Sequence, residues 1–321
     1  MPRRPHGVNL LFIIDPPDSL KAYKDTTVSM MRAAQLRGHA VHVCQQDALA
    51  WSGGAVGAQA TRIRLTDNDE DWYRNDGRAQ RALLEYGAVL MRKDPPLDME
   101  YVASTWLLSE AERQGARVFN APQALRDYNE KFALAEFAHL SVPALVTRGM
   151  AQLQAFIDEQ RDTVLKPLSG MGGAGIFRVR HDDPNRNVIV ETVSALGAAS
   201  VMAQRYIPQI AQGDKRVIVI DGKPAPHVLA RIPKAGETRG NLAAGGKGVA
   251  QPLSARDRQI AEAIGPTLAA RGILFAGLDV IGEFLTEVNI TSPTCLREIQ
   301  DQTGYDAAGL LIQALEQKVK A

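Results

Sequence analysis

The chain has 321 residues, enough for two or three packed domains, because one domain usually holds roughly 100 to 200 residues. Lys and Arg total 37 and Asp and Glu total 36, so a net charge of +1 provides no broad basic field for nucleic acid. No segment approaches the roughly 20 apolar residues of a membrane helix, and the two cysteines lack a disulfide pattern, so we expect a cytoplasmic protein that binds neither nucleic acid nor membranes.

The first third of the chain alternates strand and helix signals. An apolar run at 8–14 predicts a buried strand, residues 25–36 have helical periodicity with Asp25 or Thr26 as the N-cap, and residues 40–44 predict a second strand. This order indicates a Rossmann-like parallel sheet. The polar, glycine-rich residues 51–77 predict loops or short hairpins.

Later elements follow from the same patterns. The predicted helices are 99–114, 130–138, 255–271 and 309–318, and the predicted strands are 89–92, 118–119, 164–167, 176–180, 200–206, 216–221 and 227–232. Asp221 and Gly222 predict a hairpin turn. We therefore expect an α/β protein whose C-terminal part is α+β.

A glycine-rich loop at 169–175 lies between two predicted strands. It is therefore neither a P-loop nor a Rossmann fingerprint, since both require a following helix. Its unhindered N–H groups could fold over phosphate oxygens, although a mobile turn is the simpler interpretation of the loop alone. Lys166, directly before the loop, favours phosphate binding because its ammonium would neutralise charge there, and Lys131 could supply a second ammonium.

The segment 277–290 predicts a hairpin with metal ligands. Glu287 and Asn289 are two residues apart and share one face of a strand. With a three-residue turn, Ile281 pairs with Leu285 and Asp279 lies opposite Glu287. Opposed carboxylates are unfavourable unless a cation neutralises them, and hard oxygen ligands select magnesium or manganese. A solvated acidic edge is the alternative, but the other face of the hairpin is apolar and requires burial.

Four arginines could serve a reacting acyl phosphate, because guanidinium groups bind planar carboxylates and phosphoryl oxygens at two points. They are Arg92, Arg216, Arg231 and Arg239. Each one singly is more often a surface charge. The six histidines and two cysteines show no motif of a nucleophilic catalyst.

Several long strings, taken together, resemble the bacterial glutathione synthetase family of the ATP-grasp superfamily. They are MRKDPP at 91–96, RDYNEK at 126–131, LKPLSGMGGAGIFRV at 165–179, GDKR at 213–216, LARIPKAGETRGNLAAGGKG at 229–248, GLDVIG at 277–282 and TEVNITSPTCLREI at 286–299. The resemblance spreads over almost the whole chain and is weakest over 51–86.

The resemblance implies an ATP-grasp fold preceded by a Rossmann-like pre-ATP-grasp domain. The implied domains are 1–125, 126–203 and 204–321, with a large lid loop at 232–248. The implied reaction joins γ-glutamylcysteine to glycine through an acyl phosphate, with ATP as cosubstrate and two Mg²⁺ ions, for which Mn²⁺ could substitute. The family also suggests a homotetramer.

By similarity, each candidate residue acquires a role. ATP is expected to contact Lys131, Lys166, Gly170, Gly172, Gly173, Gln204, Tyr206, Ile207 and Asp214. The metal ions are expected at Asp279, Glu287 and Asn289, and the substrates at Arg92, Asn289, Ser292 and Thr294. Arg216, Arg231 and Arg239 are the candidate catalytic residues, the first two as donors to the developing oxyanion.

Two other interpretations stay open at this level. Another ATP-grasp carboxylate–amine ligase would share the metal hairpin and the phosphate lysines, so only its substrate residues would differ. A nucleotide-binding regulator that has lost catalysis predicts loss of a metal ligand or of the arginines, and all of them are present.

Overall fold

The computed structural model describes residues 7–170, 172–234, 240, 242 and 245–320. Within these residues, three β-sheets of seven, four and five strands form, each from one continuous stretch of chain. Helices pack on all three sheets, as an α/β protein requires. None of the helices in the described residues combines the length and the apolar character needed to cross a bilayer.

The first sheet contains the predicted parallel strands. Its members are β1 Asn9–Ile13, β2 Ala40–Cys44, β3 Leu49–Ser52, β4 Ala55–Leu65, β5 Tyr73–Ala82, β6 Ala88–Met91 and β7 Val118–Phe119. Strands β2, β1, β6 and β7 are parallel neighbours, which confirms the Rossmann-like arrangement. The associated helices are α1 Thr26–Leu36, α2 Met99–Arg113 and α3 Pro122–Asp127. Of the two predicted N-cap residues, Asp25 caps α1, through a 2.8 Å hydrogen bond from the Val28 amide.

The prediction of loops or short hairpins over 51–77 was right for β3 and β4, which form a short hairpin with a two-residue turn, and wrong in length for β4 and β5. Strands β4 and β5 have 11 and 10 residues and pair antiparallel along most of their length. Within the described chain β5 pairs with β4 alone, and most of its residues are exposed. An exposed edge strand needs no apolar alternation, so its polar sequence gave no strand signal.

The second sheet is antiparallel and has the strand order β10-β9-β11-β8. Its elements are β8 Ala144–Thr147, α4 Met150–Gln160, β9 Asp162–Pro167, β10 Phe177–Arg180, α5 Arg186–Val193 and β11 Val201–Arg205. The domain boundary that we predict after residue 203 lies inside β11. Helices α4 and α5 had no counterpart among the predicted elements.

The predicted helix at 130–138 was also wrong. Short 3₁₀ turns at Phe132–Ala135 and Ala138–Leu140 occupy this segment. The Asn129 side chain accepts hydrogen bonds from the amides of Lys131 and Phe132, and the Glu130 carbonyl accepts one from Val288. These partners replace the regular i to i−4 pattern of an α-helix.

The third sheet has the order β14-β13-β12-β15-β16. Its elements are β12 Asp214–Ile220, β13 Lys223–Ile232, β14 Lys247–Pro252, α6 Ala255–Ala270, β15 Phe275–Ile281, β16 Phe284–Asn289, α7 Leu296–Thr303 and α8 Ala307–Lys320. Asp221 and Gly222 have φ values of 47° and 74°, as the predicted hairpin turn requires.

The register of the β15–β16 hairpin differs from the prediction near its turn but not at its ligands. Ile281 pairs with Phe284, so the turn has two residues instead of three. A bulge between Asp279 and Val280 shifts the register, and Asp279 again lies opposite Glu287. The bulge places Thr286 so that its hydroxyl donates to the Asp279 carbonyl at 3.1 Å. The shorter turn and the bulge shift the register in opposite directions. Asp279 and Glu287 therefore pair as predicted.

The C-terminal helix returns to the first domain. Helix α8 packs against α1, and one apolar core contains residues of both regions, among them Leu10 and Leu311. At the edge of this contact, Glu316 accepts hydrogen bonds from Arg37 at 2.7 and 2.8 Å and lies 2.9 Å from His39 Nε2. This contact joins the C-terminal helix to the first domain.

Candidate active site

A first cleft lies between the second and third sheets and encloses about 930 Å³, including its open mouth. Its wall contains every residue that the sequence suggested for ATP: Lys131, Lys166, Gly170, Gly172, Gly173, Gln204, Tyr206, Ile207 and Asp214. Apolar side chains that the sequence did not single out complete the wall at Val164, Ile176, Ile210 and Ile281. The cleft thus combines an apolar part, suited to a flat ring, with a charged part.

The charged part of the first cleft contains two buried ammonium groups. Lys131 and Lys166 place Nζ at 3.8 Å and 3.9 Å from the same oxygen of Glu287. Lys131 also donates to the Gly170 carbonyl at 2.7 Å, which connects it to the glycine-rich loop. Two cations facing one carboxylate leave a local positive excess that suits an anion such as a phosphate chain.

Two buried polar atoms on the wall of the first cleft have no partner among the described residues. They are Nε2 of Gln204, a donor, and Oδ1 of Asp214, an acceptor. An unsatisfied buried polar group costs about 1–3 kcal/mol, so a polar ligand in the cleft would remove that cost. A nucleotide offers acceptors on its base and hydroxyl donors on its ribose, and the wall therefore fits it.

An arginine stacked on an aromatic ring lines part of the first cleft. The Arg178 guanidinium lies 3.7 Å from the centre of the Tyr206 ring. Two oxygens of Asp162 hold this guanidinium at 3.0 Å and 2.6 Å. Stacking and ion pairing together fix the side chain at this position.

The candidate metal ligands share one side of the β15–β16 hairpin. Asp279 lies opposite Glu287, and Asn289 donates through Nδ2 to the Gly277 carbonyl at 3.2 Å, which leaves its oxygen available. Two carboxylates and an amide oxygen are hard ligands that fit Mg²⁺. In the described part of the chain, no group of three or more His, Cys, Asp or Glu side chains could hold a metal, so any metal set there must include an amide or another group.

Two buried arginines hold Asp279. Arg216 Nε lies 2.6 Å from Asp279 Oδ1, and Arg231 Nη2 lies 2.8 Å from Asp279 Oδ2 and 2.6 Å from Asp214 Oδ2. Burial alone would raise the pKa of Asp279, but the two guanidinium groups outweigh burial and lower it. For Asp214, burial is the larger influence and raises the pKa, with Arg231 opposing it. Asp279 is therefore ionised at neutral pH.

A second cleft of about 820 Å³ adjoins the first. It contains the predicted residues Arg216, Arg231, Asn289, Ser292 and Thr294. Both clefts share Lys131, Gly170, Gly172, Asp279 and Glu287. The candidate metal ligands and one phosphate lysine thus stand where a nucleotide and a second substrate would meet.

The sequence did not single out several residues of the second cleft, which are Asp94, Glu130, Thr291 and Cys295. Each lies inside one of the strings that carried the family resemblance, within two positions of a residue that was chosen. Position within such a string was therefore the signal that could have found them.

Arg92 lines neither cleft. Its buried guanidinium donates from Nε to the Thr27 hydroxyl at 3.0 Å and from Nη2 to the Pro293 carbonyl at 2.9 Å. It therefore lies behind the loop that carries Ser292 and Thr294, and the structure does not bring it to the place expected of a substrate contact.

Parts of the expected lid reach both clefts. Gly240 lines the first cleft and Leu242 the second. The candidate catalytic residue Arg239 lies outside the described residues.

Two family models match the chain. The N-terminal domain of prokaryotic glutathione synthetase matches residues 8–126, and the ATP-grasp domain of the same family matches residues 130–304. Among relatives, a glutathione synthetase of Ralstonia nicotianae is 56% identical over 309 residues, covering 96% of this chain and 95% of that protein. The chain belongs to the prokaryotic glutathione synthetase family.

A second member of the glutathione synthetase family, from Nitrosomonas europaea, is 53% identical over 315 residues, covering 97% of this chain and 98% of its own length. Among solved structures, the D-cycloserine synthetase DcsG has a TM-score of 0.69 at 16% identity, covering 97% of this chain and 99% of that one. The fold is thus the ATP-grasp fold, as expected from the sequence.

Proposed function

We propose that this chain is an ATP-dependent carboxylate–amine ligase that joins γ-glutamylcysteine to glycine, giving glutathione, ADP and phosphate. The observation that carries the proposal is the junction of the two clefts at Asp279 and Glu287, beside Lys131. A nucleotide in the first cleft and a peptide carboxylate in the second would meet there. Membership of the glutathione synthetase family supports the choice of substrates.

In this proposal, Lys131 and Lys166 bind the phosphates, and the loop with Gly170, Gly172 and Gly173 covers them. Gln204, Tyr206 and Ile207 receive the adenine, with Asp214 near the ribose. Asp279, Glu287 and Asn289 would hold two Mg²⁺ ions, with Mn²⁺ as a substitute, and a bound divalent ion neutralises the charge between the reacting oxygens. The family supports the use of ATP and of a divalent metal.

The arginines serve the carboxyl end of the peptide. Phosphorylation of that carboxylate gives an acyl phosphate, and attack by the amine on it develops negative charge on the carbonyl oxygen. Arg216 and Arg231 are buried and fixed by carboxylates, so they are preorganised donors for that oxygen. Arg239 would join them from the lid.

The lid at 232–248 would exclude water from the acyl phosphate until the amine attacks. Gly240 and Leu242, which line the two clefts, support this role. Ser292, Thr294 and Asn289 would contact the peptide, and Arg92 would act through the Pro293 carbonyl by holding their loop.

The domain boundaries, the oligomeric state and the cellular location belong to the same proposal. We infer the three predicted domains at 1–125, 126–203 and 204–321, with the last boundary moved from residue 203 to the end of β11, a homotetramer, and a cytoplasmic location. Size-exclusion chromatography with light scattering would test the tetramer, because a monomer would have one quarter of its mass.

Phosphate release tests the function directly. Purified protein is incubated with ATP, Mg²⁺, γ-glutamylcysteine and glycine, and each component is omitted in turn. We expect full release only when all four are present, with glutathione formed in equal amount. Release with another acid or amine in place of these substrates would indicate a different carboxylate–amine ligase, and ATP binding without any release would indicate a regulator.

A further inference from the structure

Four carboxylates line the second cleft, and two of them already face cationic side chains of the protein. Asp279 is held by two guanidinium groups, and Glu287 faces Lys131 and Lys166. Within the described chain the other two, Asp94 and Glu130, form no ion pair, which leaves them for a cationic group of a substrate. An amino acid brings such a group, since its amine is protonated in solution near neutral pH.

Glu130 is fixed in position by one of its two oxygens. Its Oε1 accepts hydrogen bonds from the amide of Ile290 at 3.0 Å, the amide of Thr291 at 3.1 Å and the hydroxyl of Thr291 at 2.7 Å. The Glu130 carbonyl accepts the Val288 amide at 2.9 Å. Glu130 is thus bound to the strand end that carries Asn289.

The second oxygen of Glu130 is not used by these contacts. In the described residues it accepts no hydrogen bond, while the side chain lines the second cleft. A glutamine would satisfy the same three donors through a single oxygen, so the contacts to the loop do not require a charge. Burial raises the pKa of Glu130, and a cation in the cleft would offset that cost of keeping it ionised.

Asp94 is held in place by different contacts from those of Glu130. It lies on the loop after β6, where its amide donates to Asp15 at 2.9 Å and its carbonyl accepts Lys93 Nζ at 3.0 Å. In the described residues its carboxylate accepts no hydrogen bond from the loop of Ser292, whereas Glu130 is joined directly to that loop through Thr291. Glu130 is therefore the better placed anchor for a substrate bound against that loop.

We propose that Glu130 binds the ammonium group of the amino substrate in the second cleft and thereby selects an amino acid as the acceptor. This inference rests on the proposed function, in which an amine attacks a peptide acyl phosphate in this cleft. A charge-assisted hydrogen bond to a fixed carboxylate holds and orients the ammonium group. The nitrogen attacks the acyl carbon once one of its protons has passed to the phosphoryl oxygens, and the departing phosphate carries that proton away. Glu130 then serves the second half-reaction and not the binding of ATP.

A pair of nucleophiles separates this role from a purely structural one. Glycine carries an ammonium group, whereas hydroxylamine is uncharged at pH 8 and traps the same acyl phosphate as a hydroxamate. For Glu130→Gln we expect the KM for glycine to rise about 10-fold or more, which is about 1.4 kcal/mol. The KM for ATP and the rate of hydroxamate formation should stay close to those of the wild type.

Two further variants keep the inference open to refutation. Glu130→Asp retains the charge, so it should preserve more of the preference for glycine over hydroxylamine than Glu130→Gln does. Asp94→Asn removes the other carboxylate and should leave the ratio of the two rates unchanged. Denaturant unfolding of each variant verifies that it is folded.

The results of these experiments separate a failure of this inference from a failure of the proposed function. Equal loss of both rates in Glu130→Gln would mean that Glu130 only clamps the loop, and the inference would fail while the proposed function stood. A glycine-specific loss in Asp94→Asn, with none in Glu130→Gln, would move the anchor to Asp94 and also overturn it. Wild-type protein that forms neither glutathione nor hydroxamate would refute the proposed function, and this inference with it.

Discussion

Replacement of Arg231 by alanine would remove one cation from two buried carboxylates at once. Arg231 is 3% exposed, and its Nη2 lies 2.8 Å from Asp279 and 2.6 Å from Asp214. In Arg231→Ala, Asp279 keeps Arg216, but Asp214 has no other ion-pair partner in the described part of the chain. Breaking a buried pair by removing one partner costs about 3–5 kcal/mol, a large part of the roughly 5–15 kcal/mol that stabilises a domain.

The same substitution should affect turnover more than nucleotide affinity. Arg231 lines the second cleft and is absent from the wall of the first. Loss of a preorganised donor to the developing oxyanion lowers kcat by about 100-fold or more, whereas the KM for ATP depends on the residues of the first cleft. Arg231→Lys retains the charge but only one contact at a time, so it should show an intermediate loss of stability.

Unfolding in guanidinium chloride measures the loss of stability. Phosphate release at varied ATP concentrations measures kcat and the KM for ATP. Arg178→Ala is the matched comparison, because Arg178 lines only the first cleft and is 38% exposed at its side chain. It should raise the KM for ATP and leave kcat and stability nearly unchanged. Wild-type stability in Arg231→Ala, or an equal loss of ATP affinity and turnover in folded Arg231→Lys, would refute this reasoning.

Three further substitutions test other parts of the structure. Glu287→Gln should increase the Mg²⁺ concentration needed for half-maximal activity, because one of the two carboxylates proposed to hold the metal is lost; a Mg²⁺ titration measures this, and an unchanged requirement would contradict the assignment. Gly265→Ala should destabilise by about 1–3 kcal/mol in urea unfolding, because a Cβ there would lie 2.0 Å from the Gly222 carbonyl oxygen; an unchanged midpoint would contradict that close approach. Glu316→Gln should lower stability at neutral pH, because the Arg37 hydrogen bond is the main cause that lowers the pKa of Glu316 from 4.5 to about 2. A depressed carboxyl pKa contributes stability above about pH 4.5 that is lost as the pH falls toward 2, so the difference from the wild type should shrink over that interval in unfolding curves; a constant difference would refute the assignment.

The metal hairpin illustrates how a correct site can follow from an imperfect local prediction. The alternation of polar and apolar residues on β15 and β16 already placed Asp279 and Glu287 on one face, because side chains alternate strictly along a strand. The length of the turn was predicted wrongly, and a bulge restored the pairing. A bulge depends on how the strand is bound by its neighbours, so the alternation alone does not predict it.

The segment around Glu130 illustrates the opposite case. Its local pattern predicted a helix, and the structure instead commits it to hydrogen bonds with β16, about 160 residues further along the chain. Helix propensity is a weak preference, and a set of buried hydrogen bonds outweighs it. The same contacts gave Glu130 a place in the second cleft that its sequence position did not reveal.

The sequence by itself determined the parallel opening sheet, most strands of the other two sheets, the glycine-rich loop and the residue types at the metal hairpin. These features depend on periodicity and on neighbours within a few residues, which the chain order contains directly. Only the tertiary structure decided which charges meet: Arg231 between Asp214 and Asp279, and Arg92 behind the substrate loop through Pro293. Such contacts join residues that are far apart in the chain, and their partners are chosen by the packing of whole sheets.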